Sequence, residues 1–200
     1  MNIPPLPDLT SLSLADIARL AQEQRLPPVD QWNPDHCGDS EMRIASDGRW
    51  YHQGGLINRM EMVRLFSTIL RRESDGSYVL VTPVEKLSIM VEDAPFLAIE
   101  LTSEGRGKDR HIAFRLSLGE IVVAGPDHPI ILRGTAQKPR PYLHVRGPVG
   151  NGLEALLSRP TFYELAHLAM QEIQENDSPL GLWSDGAFFA LEYQDGEQQG

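Results

Sequence analysis

Apolar and polar positions along this chain alternate in short runs more often than they recur at helical spacing. His111-Ile112-Ala113-Phe114-Arg115-Leu116 is the clearest run, and strict alternation marks a half-buried strand. Residues 78–81, 87–91, 96–101, 121–123, 130–132 and 142–145 read as further strands, bounded by Gly, Pro and Asp. Residues 42–45 and 50–52 flank Asp47-Gly48. Asp-Gly readily takes the positive φ angles of a type I′ turn, so a hairpin is predicted there.

Helical spacing occurs in three places. Leu14, Ile17, Ala18, Ala21 and Leu26 form a stripe opened by a Ser13/Asp16 capping arrangement and closed by Pro27-Pro28. Ile57, Met60, Val63, Leu65, Phe66, Ile69 and Leu70 predict a second helix ending near Arg72. A third runs over 161–175, with Leu165, Leu168, Ala169 and Ile173 on one face. Residues 27–39 read as an irregular linker whose Trp32 docks on the body that follows.

The chain also resembles itself. Residues 57–65 align with 157–165, setting Arg59 against Arg159 at the start of each helix. Just upstream, Tyr51-His52-Gln53-Gly54-Gly55 faces Leu143-His144-Val145-Arg146-Gly147. Ser-Asp-Gly followed by an aromatic strand occurs at 46–48, 74–76 and 184–186. The expected fold is α+β, with a duplicated strand–helix–hairpin core, antiparallel sheets and a groove between two copies. The division is 1–40 for an N-terminal helix and linker, 41–92 and 93–193 for the two halves, and 194–200 for a disordered tail.

Composition narrows the function. The 200 residues are 41% hydrophobic, enough for a real core, and the net charge of −10 argues against a nucleic-acid or anionic-membrane partner. The lone Cys37 excludes an intramolecular disulfide. The N-terminus has no signal-peptide pattern, and no apolar run approaches the roughly 18 residues of a membrane span. A cytoplasmic protein is expected.

Against the acidic background, no Asp or Glu lies between Asp127 and Glu154, while Arg133, Lys138, Arg140 and Arg146 do, with His144 among them. Guanidinium forks and a lysine point charge suit phosphate or carboxylate. The stretch reads as a shaped loop beside an anion, or as a solvated loop whose cations pair with carboxylates elsewhere. Arg59 and Arg159 sit at the helix end that disfavours cations, which an anion or a neighbouring carboxylate there would explain.

Other chemistry is thinner. His36-Cys37 offers no positioned base for a thiol nucleophile. The six histidines show no zinc spacing, and neither metal nor cofactor is expected. Gly105-Arg106-Gly107-Lys108 fails the phosphate-loop pattern at Thr102 and Asp109. Glu85, Glu92 and Asp93 are not paired into an acid and a base.

Trp32-Asn33-Pro34 with Cys37-Gly38, residues 47–52 (Asp-Gly-Arg-Trp-Tyr-His), 62–67 (Met-Val-Arg-Leu-Phe-Ser), 80–86 (Leu-Val-Thr-Pro-Val-Glu-Lys) and 91–96 (Val-Glu-Asp-Ala-Pro-Phe) resemble a bacterial family known as domain of unknown function 1285. The likeness covers nearly the whole chain and is most specific up to residue 96. It implies a duplicated α+β core with a pleckstrin-homology-like second half, a nucleotide-like ligand between the halves and a signalling role. It assigns no catalytic residue.

The leading expectation is therefore a regulatory protein binding a small anionic ligand between its halves. Arg133, Lys138, Arg140 and Arg146 would supply charge, Arg59 and Arg159 would flank the groove, His52 and His144 would face it, and Trp50 or Tyr142 would stack. The alternatives are a hydrolase of a phosphorylated small molecule, using His52, His144 or Glu85 as base, and a protein–protein adaptor.

Overall fold

The computed structural model describes residues 26–135, 137–172 and 179–192. The helix expected ahead of Pro27 and the tail at 194–200 lie outside the described residues. A 3₁₀ turn at Val29–Gln31 leads into β1 (Cys37–Ile44), β2 (Trp50–His52), β3 (Gly55–Leu56), α1 (Met60–Thr68), β4 (Leu70–Arg72), β5 (Tyr78–Val81) and β6 (Lys86–Val91). The second half comprises β7 (Phe96–Glu104), β8 (His111–Leu116), β9 (Ile121–Val123), β10 (Ile130–Thr135), β11 (Lys138–Arg146), β12 (Leu153–Leu157), α2 (Arg159–Glu172) and the hairpin β13 (Gly181–Ser184)–β14 (Ala187–Ala190).

The core is duplicated, and the strand order shows how. The first sheet runs β3-β2-β1-β6-β5-β4 and the second β9-β8-β7-β12-β11-β10. Each is a pair of three-stranded antiparallel meanders joined by one parallel pair, β1 with β6 and β7 with β12. The sheets are thus mixed, not wholly antiparallel, and strands one to six map in order onto seven to twelve.

The helices do not follow that mapping. α1 lies between the third and fourth strands of its half, whereas α2 follows the sixth strand of the other. The alignment of Arg59 with Arg159 therefore matches two helices in different places of the repeat. Likewise His52 is on β2 and His144 on β11, although the counterpart of β2 is β8. Any amphipathic helix gives the same apolar spacing, and α2 is entered directly from β12 rather than through glycine, so the likeness of those segments is local.

All three Ser-Asp-Gly segments make hairpins, in two forms. At 46–48 and 74–76 the loop has three residues, closed by Gly48 N–H to Ala45 O (2.9 Å) and Gly76 N–H to Glu73 O (3.0 Å). Only the glycine has positive φ there (81° and 86°), so the turn at Asp47-Gly48 is not type I′. Asp185 (φ 48°) and Gly186 (φ 75°) do form the two-residue type I′ loop, as do Gln53 and Gly54.

Three other expectations shift. α1 ends at Thr68, because Ile69 leaves helical geometry and Leu70 pairs with Leu80 of β5. The linker ends early, since Cys37 already pairs with Lys86. The cationic stretch is mostly a hairpin, with Arg133 opposite Arg140 and Leu132 opposite Pro141. Pro139 and Pro141 fit because β11 pairs with β12 only from Tyr142 onward.

One apolar core spans both halves. Ile44, Trp50, Leu70 and Leu80 of the first join Phe96, Phe114, Leu143 and Leu165 of the second, all essentially inaccessible. Removing any of the aromatic members would cost about 3–5 kcal/mol. The terminal hairpin is sewn on by Ser184, whose buried hydroxyl donates to Ala124 O (2.7 Å) and accepts from Ile112 N–H (2.9 Å).

Candidate functional site

The arginines of the β10–β11 hairpin already have partners. Arg133 makes a bidentate pair with Glu154, both contacts 2.6 Å, and lies 4.7 Å over the Tyr142 ring. That paired carboxylate raises the Arg133 pKa above its ordinary value. Arg140 pairs with Asp93 and donates to the Tyr142 hydroxyl (3.1 Å), which itself donates to Asp93 (2.7 Å). Arg133, Arg140 and Tyr142 therefore do come together, but around two carboxylates.

The other expected site residues are scattered. Lys138 is exposed at the start of β11; Arg59, at the N-cap of α1, Arg159 and His52 are exposed as well. Trp50 is 1% exposed within the core, so its ring cannot stack on a ligand. His144 is buried, and burial holds its pKa below the ordinary value.

Arg146 is different, because it reaches across the seam. Its guanidinium donates to Ser67 O at the end of α1, lies 5.3 Å from the Phe96 ring, and stands 3.4 Å from Glu120. Both side chains of that ion pair are about 15% exposed. Burial raises the Glu120 pKa, opposed by Arg146, and Glu120 Oε2 is buried without a hydrogen-bond donor among the described residues. Asn151 makes a parallel crossing, donating to Glu73 O (3.1 Å), and Arg64 answers from the first half to Leu118 O (2.8 Å).

Beside the Arg146 and Asn151 crossings lies a cavity of about 180 Å³. Its walls come from three segments remote in sequence: the strap at 26–30, the stretch from Thr68 to Arg72, and the β11–β12 loop with Arg146, Asn151 and Leu153. Arg71 builds one wall. It donates to Val29 O (2.7 Å) and Trp32 O (2.8 Å) and pairs with Glu73 (2.7 Å), pinning the strap that carries Asp30.

The β11–β12 loop is shaped from beneath. His144 Nε2 meets Gly147 O at 3.0 Å, and His128 Nδ1 meets His144 O at 3.2 Å. Gly147 (φ 85°) and Gly150 (φ 89°) turn the chain. A Cβ on Gly152 would run into Arg146 O and the His144 ring, and would stand 2.9 Å from Pro148 O. Glycine is required there by close approach.

Three arginines among the described residues line the cavity, and they are not equivalent. Arg71 and Arg146 are engaged as described. Arg72 has no carboxylate partner among the described residues; its Nε is buried without an acceptor, and its guanidinium lies 5.5 Å from the Tyr78 ring. Of the residues nominated from sequence, only Arg146 lines the cavity. Asp30, Arg71, Arg72 and Asn151 were missed, and the adjacent Arg71-Arg72 pair was the one visible hint. No three His, Cys, Asp or Glu side chains among the described residues gather as metal ligands.

A duplicated mixed-sheet α+β protein with a cation-lined cavity at the seam is the class that fold and site define. Residues 27–94 match the N-terminal domain, described as "domain of unknown function (DUF1285)", and residues 95–191 match the C-terminal domain of the same family. The chain belongs to the DUF1285 family. A DUF1285 family protein from Silicibacter pomeroyi DSS-3 has a similar crystal structure, with 43% identity, TM-score 0.74, and coverage of 87% of this chain and 93% of that one. A second, from Shewanella baltica OS155, is 26% identical with TM-score 0.47, over 64% of this chain and 91% of that one. No curated protein matches the chain.

Proposed function

We propose that the protein is regulatory and holds a small anionic ligand, of a class that includes nucleotide-like phosphates, in the cavity between its halves. The observation that carries this reading is Arg72, a cavity-lining arginine whose buried Nε has no acceptor among the described residues. Leaving such a donor unmade costs about 1–3 kcal/mol or more, which a bound anion would recover. Arg146 and Asn151 favour coupling to the rest of the molecule, since each also joins the halves. A signalling role, a cytoplasmic location and a pleckstrin-homology-like second half belong to the same proposal. The last is supported by a six-stranded sheet on which α2 follows the final strand.

The hydrolase alternative needs a base at the cavity. Among the described residues no histidine lines it, and Asp30 is the only carboxylate that does. The binding reading is tested by thermal unfolding with nucleotides, sugar phosphates and small carboxylates at millimolar concentration. A ligand at a hundred times its Kd stabilises by about 2.7 kcal/mol. The shift should vanish in Arg72→Gln. If no anion stabilises the protein, or the shift survives in that variant, the reading fails.

A further inference from the structure

The polar groups of the cavity can be sorted by what is left once internal pairs are taken out. Arg71 is neutralised by Glu73 and Arg146 by Glu120. Two charges remain, of opposite sign. Arg72 has no carboxylate partner among the described residues, and the Asp30 carboxylate, on the opposite strap, has neither an ion pair nor a hydrogen bond there. Asp30 is exposed and is felt electrostatically by Arg146 across the cavity. The rest of the lining is largely apolar, with Leu26, Pro27, Val29, Leu70 and Leu153.

Size restricts the occupant further. A cavity of about 180 Å³ is below the roughly 300–1,000 Å³ of sites for drug-sized ligands. That favours the smaller members of the ligand class, such as a free amino acid with a short aliphatic side chain.

We infer that the ligand is such an amino acid, its carboxylate on Arg72, its ammonium on Asp30 and its side chain against the apolar wall. This rests on the anion-site reading and adds a requirement for a cation on the same small molecule. A bare phosphate or carboxylate satisfies Arg72 but leaves Asp30, on the same cavity, without a cation of its own.

The test is isothermal titration calorimetry on the full chain with free aliphatic L-amino acids, each beside its N-acetyl derivative, its amide and the carboxylic acid lacking the amine. Circular dichroism melts confirm that Arg72→Gln and Asp30→Asn fold. The inference expects an aliphatic amino acid to bind. Blocking either end of the ligand, or making either substitution, should weaken binding roughly tenfold or more. If the amine-free acid or a phosphate monoester binds as tightly and Asp30→Asn has no effect while Arg72→Gln abolishes binding, the zwitterion inference is overturned and the anion reading stands. If nothing binds, or binding ignores Arg72, both fall together.

Discussion

Arg146 of the second half donates from its guanidinium to the backbone carbonyl of Ser67 in the first, while its other edge stands 3.4 Å from Glu120. One side chain thus joins the end of α1, a buried carboxylate and the wall of the cavity. Its position is set by burial on the Phe96 ring, and losing it would expose a seam and strand a charge at once.

Replacing Arg146 with Met should lower stability by about 3–5 kcal/mol, the range for removing one partner of a buried pair. Adding Glu120→Gln should return part of that loss, since the stranded carboxylate is then gone. Urea unfolding of the two single variants and the double variant measures the coupling. Equal and additive losses would show that the pair is not linked.

Gly152→Ala should destabilise by about 1–3 kcal/mol through overpacking, since its Cβ meets backbone and the His144 ring. Gly150→Ala is the control. Its φ is positive (89°), unlike that of Gly152, but open space surrounds it, so only the backbone strain of about 1 kcal/mol applies. Thermal melts rank the two, and a larger loss at Gly150 contradicts the packing account.

The buried His144 has a folded-state pKa below its ordinary value of 6.5, and burial is the first cause. The unfolded chain therefore binds the proton more readily, so stability is present above pH 6.5 and is lost as pH falls through the depressed folded value. In His144→Gln the stability curve should be flatter over that acid limb. Chemical unfolding at a series of pH values from neutral to about 5 compares the slopes.

Ser184→Ala removes both a donor to Ala124 and the acceptor of the Ile112 N–H in a closed interior. A cost of about 1–3 kcal/mol is expected from the stranded amide. The loss should appear as faster hydrogen exchange at Ile112 and in the β13–β14 hairpin, with the first sheet unchanged. Uniform acceleration across both sheets would contradict this local account.

Much of the fold was legible because it is written locally. Asp-Gly steps marked three hairpins, and His111–Leu116 alternated as a strand should. β12 was not, because Leu153-Glu154-Ala155-Leu156-Leu157 is largely buried on both faces and its one charge is hidden by pairing with Arg133. Nor was the mixed character of the sheets, since a parallel pair such as β1 with β6 leaves no local trace. The cavity was least legible of all. Asp30, Arg72 and Asn151 come from three segments that meet only after both sheets form, and no spacing along the chain records a meeting in space. The acid-free stretch attracted notice as a run of charge, yet Arg133 and Arg140 are paired with Glu154 and Asp93, which lie outside it.

The central parallel pairs carry a consequence for synthesis. In each half the opening strand lies beside the closing one, Cys37 against Lys86 and Phe96 against Ala155. The first strand of each half must therefore wait, unpaired on that side, until the last of its half arrives. Such distant pairings make a slow, late step. Each half should mature in one event as its sixth strand emerges, and the first should be finished before the second has begun to pair.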